Sequence, residues 1–347
     1  MNILMLAWRD MKNPLKGGAE IVTDNYLAGL AREGHSVTLF SSRFQGSRKS
    51  ENYHGYTIAR SGTPLSVYIE AYKFYKRGNY DLVIDQVNTV PFFTPLYVPR
   101  KKRVAFFHQL ALDVWFYEKN IAVATIGIVC EWCYLKLYAC TRAFVVSNST
   151  KNDLVSYAWM NPKEILVLEN QIDFTPMSNV SDKEHAFVFC GRLKKSKRAQ
   201  DAIRAMVDVD AKLYVIGDGD YKKDLMRLVR KLHLEQKVVF TGQIGLMERD
   251  KIMAKSLAIL VTSVREGWGL IVTEANANGT IAITYDVPGL RDANKTGIMC
   301  RNIKEMRTAM DKMIENPQYH ATESITFART HADWNKNIGR LEKWISH

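Results

Sequence analysis

Two glutamates in the C-terminal half of the chain stand on either side of a glycine-rich turn. Glu266 and Glu274 are separated by the seven residues G-W-G-L-I-V-T. The apolar run before them, Leu257–Thr262, predicts a buried strand, and the sequence from Ile271 onward predicts a helix. The two glycines then lie where a strand ends and a helix begins, so free backbone N–H groups and the helix dipole favour an anion there. One carboxylate could hold a sugar and the other a ribose, although two solvated acids on a plain turn would give the same pattern.

A second group of residues with chemical potential follows the strand predicted for Ala186–Cys190. The next residues, G-R-L-K-K-S-K-R, are strongly basic, and a helix is predicted from Ala199. Backbone amides, the helix dipole and the side chains of Arg192 and Lys197 could converge there on a diphosphate. By itself, this loop would as readily be a solvated basic turn.

Two features of the N-terminal half lie at the ends of predicted strands. Gly17 and Gly18 form the turn between a strand at Asn2–Ala7 and the helix that follows it. His108 comes directly after the predicted strand Arg103–Phe107, and open α/β sheets bind ligands at the C-terminal ends of their strands. Each has a structural alternative: a tight turn that needs glycine, and a histidine satisfied within the fold.

These residues belong to a chain in which strands and helices alternate. The alternation begins at Asn2, is interrupted by a polar, aperiodic stretch at residues 174–184, and starts afresh at Ala186. It predicts an α/β protein of two doubly wound, Rossmann-like domains, residues 1–175 and 176–330, with the polar stretch as the linker. A last helix is predicted for residues 323–345.

The composition is that of a globular protein with an anionic partner. The chain has 347 residues, of which 47% are hydrophobic and 24% charged, which excludes a disordered chain. The net charge of +12 suggests a nucleotide diphosphate, a nucleic acid or an anionic membrane face. Both halves share the basic excess, and the sequence has neither a basic tail nor an RNA-binding motif, which argues against nucleic acid.

Several apolar segments bear on membrane contact. Residues 65–77 predict a basic helix rich in aromatic residues, which could rest on anionic lipid or simply cover a sheet. Ile121–Cys140 is strongly apolar but contains two charged residues, which predicts a buried or interfacial helix rather than a span. Cys130 and Cys133 form a C-x-x-C pair in that segment, and we expect them to fill the core in a reducing cytoplasm. The N-terminal apolar run is too short for a signal peptide.

The motifs together resemble those of the retaining family 4 glycosyltransferases of GT-B fold. The stretch E-G-W-G-L-I-V-T-E-A is similar to E-G-F-G-L-P-x-x-E-A, and the basic loop is similar to G-R-x-x-x-x-K-G. Arg198 stands at the final glycine of the second pattern, and Ile271 at the proline of the first. Gln171 replaces the glycine of an N-G-V-D pattern. The resemblance covers nearly the whole chain and is strongest from residue 186 to residue 292.

The resemblance implies two facing domains and a C-terminal helix that crosses back, so that residues from about 331 to 347 complete the first domain. It implies transfer of a hexose with retention, from a nucleotide-diphospho-sugar (UDP before GDP) to a hydroxyl of a glycan, lipid-linked or small-molecule acceptor. It also implies that neither a cofactor nor a metal is required. The D-G-D segment at Asp218–Asp220 is similar to the family's G-D-G-P loop, with Asp220 in place of proline, and is therefore not expected to bind a metal. Such an enzyme would serve cell-surface polysaccharide or glycolipid synthesis in the cytoplasm or at the inner face of the cell membrane.

The matched motifs also assign residues. The catalytic group comprises His108, Arg192, Lys197 and Glu266. The donor-binding group comprises Gly17, Gly18, Gly242, Gln243, Ile244, Gly269, Leu270, Ile271 and Glu274. The resemblance implies that cations and amides stabilise the leaving diphosphate, that Glu266 orients the sugar and that Glu274 holds the ribose. A GT-B nucleotide-sugar epimerase and a non-catalytic nucleotide-sugar binder remain as alternatives.

Overall fold

The computed structural model describes residues 1–173 and 182–346, which form two compact α/β units. The first unit comprises Met1–Leu112, Ile126–Asn170 and Trp334–His347, and the second comprises Asp113–Thr125 and Gln171–Asp333. The first unit thus reaches Asn170 rather than residue 175, and the second takes a short segment from the N-terminal half. Most of the predicted linker, residues 174–181, lies outside the described residues.

An eight-stranded sheet forms the centre of the first unit. Its strands are β1 (Asn2–Leu6), β2 (Ser36–Ser41), β3 (Ser50–Tyr53), β4 (Tyr56–Arg60), β5 (Leu82–Asn88), β6 (Arg103–Gln109), β7 (Arg142–Val145) and β8 (Ile165–Val167). Their order is β3-β4-β2-β1-β5-β6-β7-β8, and all neighbours are parallel except β3 and β4. Apolar runs such as that of β1 form strands because helices cover both faces of the sheet, whereas polar β3 lies at an edge.

Helices cover each face of this sheet. On one face, α1 (Gly18–Arg32) packs against α13 (Trp334–Ile345), and the Tyr26 ring lies 5.3 Å from that of Trp334. The other face carries α2 (Val67–Arg77), α4 (Ile121–Leu137) and α5 (Asn148–Ala158). Val83 belongs to the apolar cluster under α2, and Val87 to the cluster under α4 and α5. Since these two residues are four apart on β5, the three helices share one side of the sheet.

The second unit is built on six parallel strands. They are β9 (Ala186–Cys190), β10 (Lys212–Ile216), β11 (Val238–Gly242), β12 (Ala258–Val261), β13 (Ile281–Tyr285) and β14 (Ile298–Cys300), in the order β11-β10-β9-β12-β13-β14. The helices are α3 (Val114–Glu118), α6 (Ala199–Ala205), α7 (Lys222–Lys231), α8 (Leu246–Lys255), α9 (Leu270–Ala277), α10 (Leu290–Ala293), α11 (Ile303–Glu315) and α12 (Ala321–Arg329). The winding of the sheet reverses between β9 and β12, which is where such sheets bind ligands.

The two doubly wound units confirm the predicted fold class, including the return of the C-terminal helix to the first unit. The single helix predicted for residues 323–345 was wrong, because α12 and α13 are separate. Between them, the His331 carbonyl accepts a hydrogen bond from Ile172 N–H at 2.7 Å, and Asp333 N–H donates to Gln171 Oε1 at 3.1 Å. The chain leaves the second unit at this break.

The environment of Cys130 and Cys133 also differs from the prediction. Both thiols are exposed on α4 and do not fill the core. The buried residues in this part of the helix are Glu131, Tyr134 and Leu135. Cys133 lies on the opposite side of the helix and Cys130 lies beside the buried stripe, so both thiols remain accessible. Within residues 1–173 and 182–346, none of the helices combines the length and the apolarity that crossing a bilayer requires.

Candidate active site

The reversal between β9 and β12 brings Lys197 and Glu266 into contact. Lys197 ends a 3₁₀ turn after β9, and Glu266 lies on the loop after β12. Glu266 Oε1 accepts hydrogen bonds from Lys197 Nζ and, at 2.7 Å, from the Ser263 hydroxyl. Both members of the ion pair remain partly accessible, with 29% and 15% of their side-chain surface exposed. In the described part of the chain Oε2 accepts no hydrogen bond, so this oxygen can accept one from a ligand hydroxyl.

Further hydrogen bonds hold these two loops together. The Thr262 hydroxyl lies 2.9 Å from each of the carbonyl oxygens of Lys197 and Arg198, to which it donates. Val264 N–H donates to the Ser196 carbonyl at 3.0 Å. The backbone around the pair is therefore fixed, and the Lys197–Glu266 contact is a product of the fold rather than a chance surface ion pair.

The start of α9 supplies the amide groups that the sequence predicted. Gly269 precedes the helix with a φ of 96°, a left-handed conformation that costs glycine little. The first N–H groups of a helix, here those of Leu270 and Ile271, have no acceptor within it. At the family's proline position, Ile271 adds a donor that proline lacks. Trp268 is buried, and its indole N–H donates to the Thr273 hydroxyl at 3.0 Å, which anchors the turn.

A glycine after β13 supports the backbone of Glu266. Gly289 has a φ of 80°, and a Cβ atom at this position would lie 2.1 Å from the Glu266 carbonyl oxygen. The Glu266 N–H donates to the Pro288 carbonyl at 3.2 Å. Because only glycine permits this approach, the turn at Gly289 helps to fix the position of Glu266.

Glu274 has a different environment from Glu266. Its Oε2 accepts a hydrogen bond from Arg249 Nη1 of α8 at 2.7 Å, and the same guanidinium pairs with Asp250 at 2.8 Å. Burial raises the pKa of the Glu274 carboxyl, and the Arg249 guanidinium opposes this shift. Arg249 thus sets the orientation of Glu274, and Glu274 lies outside the Lys197–Glu266–Ser263 cluster.

The other residues of the second unit that the sequence predicted to bind the donor lie at the C-terminal edge of its sheet. Arg192 follows β9; it is exposed and forms no ion pair with another described residue. Gly242 ends β11 with a φ of 71°, and its carbonyl accepts from Gly217 N–H at 2.8 Å. Gln243 is exposed and Ile244 is half-buried. All of these residues therefore share one end of the sheet with Lys197 and Glu266.

Arg198 occupies a position where the family pattern has glycine. Its φ of 51° and ψ of 38° are in the left-handed region, so the backbone adopts the conformation that glycine favours. The guanidinium pairs with Asp201 at 2.5 Å and lies 4.9 Å from the centroid of the Tyr285 ring. These contacts offset part of the backbone strain.

In the first unit, Gly17 directly precedes α1 and Gly18 is the first residue of that helix, so both lie at the turn expected after β1. The Gly17 N–H donates to Glu20 Oε2 at 2.6 Å, and Glu20 Oε1 pairs with Arg9 at 3.2 Å. Glu20 is almost completely buried. The carboxylate three residues into the helix therefore fixes the glycine turn, as in a capping box.

His108 is more enclosed than its sequence position suggested. It is the penultimate residue of β6 rather than a residue beyond the strand, and it is only 6% exposed. Its Nε2 lies 3.0 Å from Gln86 Nε2, and the Gln86 amide also donates to the Thr23 hydroxyl of α1. With the Gln86 amide as donor, Nε2 is the ring acceptor. Burial lowers the pKa of His108 to about 3, so the imidazole is neutral at pH 7.

The D-G-D segment forms local contacts. Asp218 accepts a hydrogen bond from Gly219 N–H at 2.8 Å and pairs with Lys222 at 3.2 Å. Across the ranges that the structure describes, no three or more His, Cys, Asp or Glu side chains are grouped so as to hold a metal ion. Metal-free transfer stays a prediction.

Four residues that support this site were not predicted from the sequence. Glu118 of α3 accepts hydrogen bonds from the Ser196 N–H at 3.0 Å and from the Ser196 hydroxyl. The two residues are 78 positions apart, so the sequence carries no signal of this contact. Ser263 could have been found from its S-x-x-E spacing to Glu266. The roles of Gly289 and Arg249 depend on packing between elements and have no local pattern.

Two family models match adjoining parts of the chain. The model described as Glycosyltransferase Family 4 matches residues 16–175, and the model described as Glycosyl transferases group 1 matches residues 171–330. The two matches overlap at residues 171–175, directly after Asn170, where the chain passes from the first unit to the second.

Individual relatives match smaller parts. An uncharacterised glycosyltransferase of Methanocaldococcus jannaschii is 31% identical over 47% of this chain and 46% of its own length. The N-acetylgalactosamine-N,N'-diacetylbacillosaminyl-diphospho-undecaprenol 4-alpha-N-acetylgalactosaminyltransferase of Campylobacter jejuni is 30% identical over 41% of each chain. The chain therefore spans less than half the length of these curated relatives. The structure of Anabaena HepE with UDP and glucose covers 100% of this chain and 99% of its own, with a TM-score of 0.75 and 16% identity, and shows the same fold.

Proposed function

Since the chain belongs to glycosyltransferase family 4, with the GT-B fold, we propose that it transfers a hexose with retention from a nucleotide-diphospho-sugar to an acceptor hydroxyl. The observation that carries this proposal is the Lys197–Glu266–Ser263 cluster at the start of α9. Cation, carboxylate and helix amides there fit the diphosphate and the sugar of one donor.

We assign one part of the donor to each group. Lys197, Arg192 and the first amides of α9 bind the diphosphate, and Glu266 accepts hydrogen bonds from sugar hydroxyls. Glu274, oriented by Arg249, holds the ribose. The loop at residues 242–244 contacts the base through its backbone. A UDP-sugar is favoured over a GDP-sugar, because the fold relative HepE was solved with UDP and glucose.

In the proposed step, the bond between the anomeric carbon and the phosphate oxygen breaks, and the acceptor oxygen bonds to that carbon from the same face. The acceptor proton passes to the leaving phosphate oxygen. Lys197, Arg192 and the α9 amides stabilise the negative charge that develops on the diphosphate, so the proposal needs no metal and no cofactor. A diphosphate bound near Lys197 would compete with Glu266 for the Lys197 ammonium. The Glu266 carboxylate could then turn towards the sugar.

We assign Gly17, Gly18 and His108 of the first unit to the reacting sugar, on the family resemblance. Neutral His108 can take part in hydrogen bonding but not in charge neutralisation at pH 7. Among glycan, lipid-linked and small-molecule acceptors, we favour a lipid-linked one. The name of the Campylobacter relative specifies a diphospho-undecaprenol acceptor, which agrees with synthesis of cell-surface polysaccharide or glycolipid on the cytoplasmic side.

The test begins with thermal stabilisation of the purified chain by UDP-, GDP- and dTDP-sugars, followed by product analysis. Glu266→Gln should lower transfer by about a hundredfold or more while nucleotide binding persists, because it removes the carboxylate that positions the sugar. Glu235→Gln is the matched control, since Glu235 is an exposed acid of the same unit. NMR of the product reads its anomeric configuration.

Four outcomes would contradict the proposal. If Glu266→Gln transfers the sugar at nearly the wild-type rate, Glu266 does not position the sugar as proposed. An epimerised nucleotide sugar as the product would favour the epimerase, and donor binding without turnover would favour a binding protein. Inversion at the anomeric carbon would exclude front-face transfer.

A further inference from the structure

One side of the first unit exposes apolar and aromatic residues on three neighbouring helices. The helices are α2, α4 and α5, which cover the same side of the sheet. We define the outer face by six residues on these helices and their ends: Ile69, Tyr72, Ile126, Val129, Trp132 and Trp159. All are exposed; Ile69, Ile126 and Trp159 each expose more than three-fifths of their surface. Isolated exposed apolar residues are ordinary, but a shared face of this composition marks an interaction surface.

The orientation of α4 is fixed by its buried side. Glu131 accepts hydrogen bonds from Ala111 N–H at 2.7 Å and Leu112 N–H at 2.9 Å, and Leu135 is fully buried in the core. Ile126 and Val129 lie on the opposite stripe of the helix. The protein cannot bury them by rotating α4 without breaking these bonds.

A lysine with two tryptophans lies in the outer face. The Lys136 ammonium is 3.5 Å from the centroid of the Trp159 ring and 4.9 Å from that of Trp132. It also donates to the Tyr157 carbonyl. Indole rings with an apolar body and a polar N–H, next to a lysine whose stem is apolar, are the side chains that favour the headgroup level of a bilayer.

The charge of the outer face favours anionic lipid over a second copy of this chain as its occupant. The α2 helix presents Lys73, Lys76 and Arg77, and its sole carboxylate, Glu70, pairs with Lys73 at 2.8 Å. In a symmetric dimer the same cations would face one another, in a protein whose net charge is already +12. Anionic lipid headgroups would instead neutralise them.

We propose that the outer face docks the protein on an anionic phospholipid bilayer, with α4 lying along the surface at headgroup level and the cations of α2 meeting lipid phosphates. The sequence suggested lipid contact for residues 65–77 and a buried or interfacial helix for Ile121–Cys140. The structure exposes one side of α4 and adds the end of α5 to the same face. The inference does not rest on the proposed transferase activity, because vesicle binding is measured without donor or acceptor.

The experiment compares sedimentation of the full chain with phosphatidylcholine vesicles and with vesicles that also contain phosphatidylglycerol. We expect binding to the anionic vesicles, weakened by salt. The double variant Ile126→Glu, Val129→Glu should lower the affinity for anionic vesicles by about tenfold or more, since each carboxylate replaces an apolar contact and faces anionic lipid. The control is Met226→Glu, Met299→Glu, which makes the same charge change at two exposed apolar residues of the second unit.

The proposal is overturned if the wild-type chain does not sediment with anionic vesicles, or if the control loses binding as far as the test variant does. If the wild-type chain forms a dimer, and the test variant is monomeric but binds vesicles as the wild type does, the outer face is the interface with a second copy instead. If the variant fails to fold, a measurement on the wild-type chain tests the proposal instead. Anionic vesicles should slow the alkylation of Cys133, which is exposed on α4. An unchanged alkylation rate would count against docking.

Discussion

At the scale of single residues, His108 combines near-complete burial with a titratable ring. Burial lowers its pKa to about 3, whereas the unfolded chain binds this proton near pH 6.5. Above about pH 6.5 the residue is neutral in both states. Below that pH only the unfolded state is protonated, so the stability that neutral His108 contributes is lost as the pH falls towards 3. We expect the wild type to lose up to about 1.4 kcal/mol of unfolding free energy per pH unit relative to His108→Gln, which keeps an acceptor for Gln86.

Urea unfolding of both proteins between neutral pH and about pH 4.5 measures this difference. His185→Gln, at an exposed histidine, is the matched control and should follow the wild type. Equal pH dependence of the wild type and His108→Gln would show that the buried ring is protonated or solvated in the folded state.

Arg198 permits a second test at the residue scale. Both Arg198→Ala and Arg198→Gly remove the ion pair with Asp201 and the contact with the Tyr285 ring. Only glycine also relieves the left-handed backbone, so Arg198→Gly should be more stable than Arg198→Ala by about 1 kcal/mol. The urea midpoints of the two variants give the answer, and an alanine variant as stable as the glycine variant would mean that this turn is not strained.

At the scale of elements, α3 is an N-terminal segment that supports a C-terminal loop. Glu118 binds Ser196, whose neighbour Lys197 pairs with Glu266. Removing this support should loosen the 195–197 turn. We expect Glu118→Ala to weaken donor binding by about tenfold, and Glu118→Gln, which keeps an acceptor oxygen, to stay near the wild type.

Donor titration by thermal shift or calorimetry measures this effect without turnover. A double-mutant cycle with Ser196→Ala measures the part of this contact that the Ser196 hydroxyl makes, since the alanine variant keeps the N–H donor. If Gln and Ala at position 118 are equally damaging, the hydrogen bonds from Ser196 are not what positions Lys197.

The elements differ in how far the sequence could predict them. Buried parallel strands such as β1 and β12 were predictable, because continuous apolar runs bounded by turns have few other solutions. Polar β3 was not, since an edge strand needs no apolar face. Periodicity identified α4 as a helix but could not tell which side its neighbours cover, which is why Cys130 and Cys133 were placed in the core.

At the scale of the whole molecule, α13 completes the first unit against α1. A Cβ atom at Gly29 of α1 would lie 2.1 Å from Ile338 Cδ1, so the two helices meet at a glycine. Gly29→Ala should therefore destabilise the first unit by about 1 to 2 kcal/mol through overpacking, despite alanine's better helix propensity.

The matched partner is Ile338→Ala, which opens the space that the new methyl group needs. In the Ile338→Ala background, Gly29→Ala should cost less, giving a favourable coupling free energy in chemical unfolding. Additive effects would mean that α13 is not packed at this glycine.

In the candidate site, too, local sequence patterns predict single residues but not the contacts between distant elements. Lys197 and Glu266 could each be named from a local motif, and the strand order explains why they meet. Their supporting residues could not be named, because Glu118, Arg249 and Gly289 reach the site from other elements, and neither periodicity nor spacing encodes such contacts.

The chain crosses between its two units after residues 112, 125, 170 and 333. During synthesis, the ribosome releases β1 to β8 long before α13, and residues 171–333, the larger part of the second unit, emerge in between. The unit that begins first is thus completed last: until Trp334–Ile345 appears, the surface of α1 that includes Tyr26 and Gly29 has no cover. The first unit can therefore be completed only after residues 171–333 of the second unit have emerged, in contrast to the usual order in which an N-terminal domain is finished before the next begins.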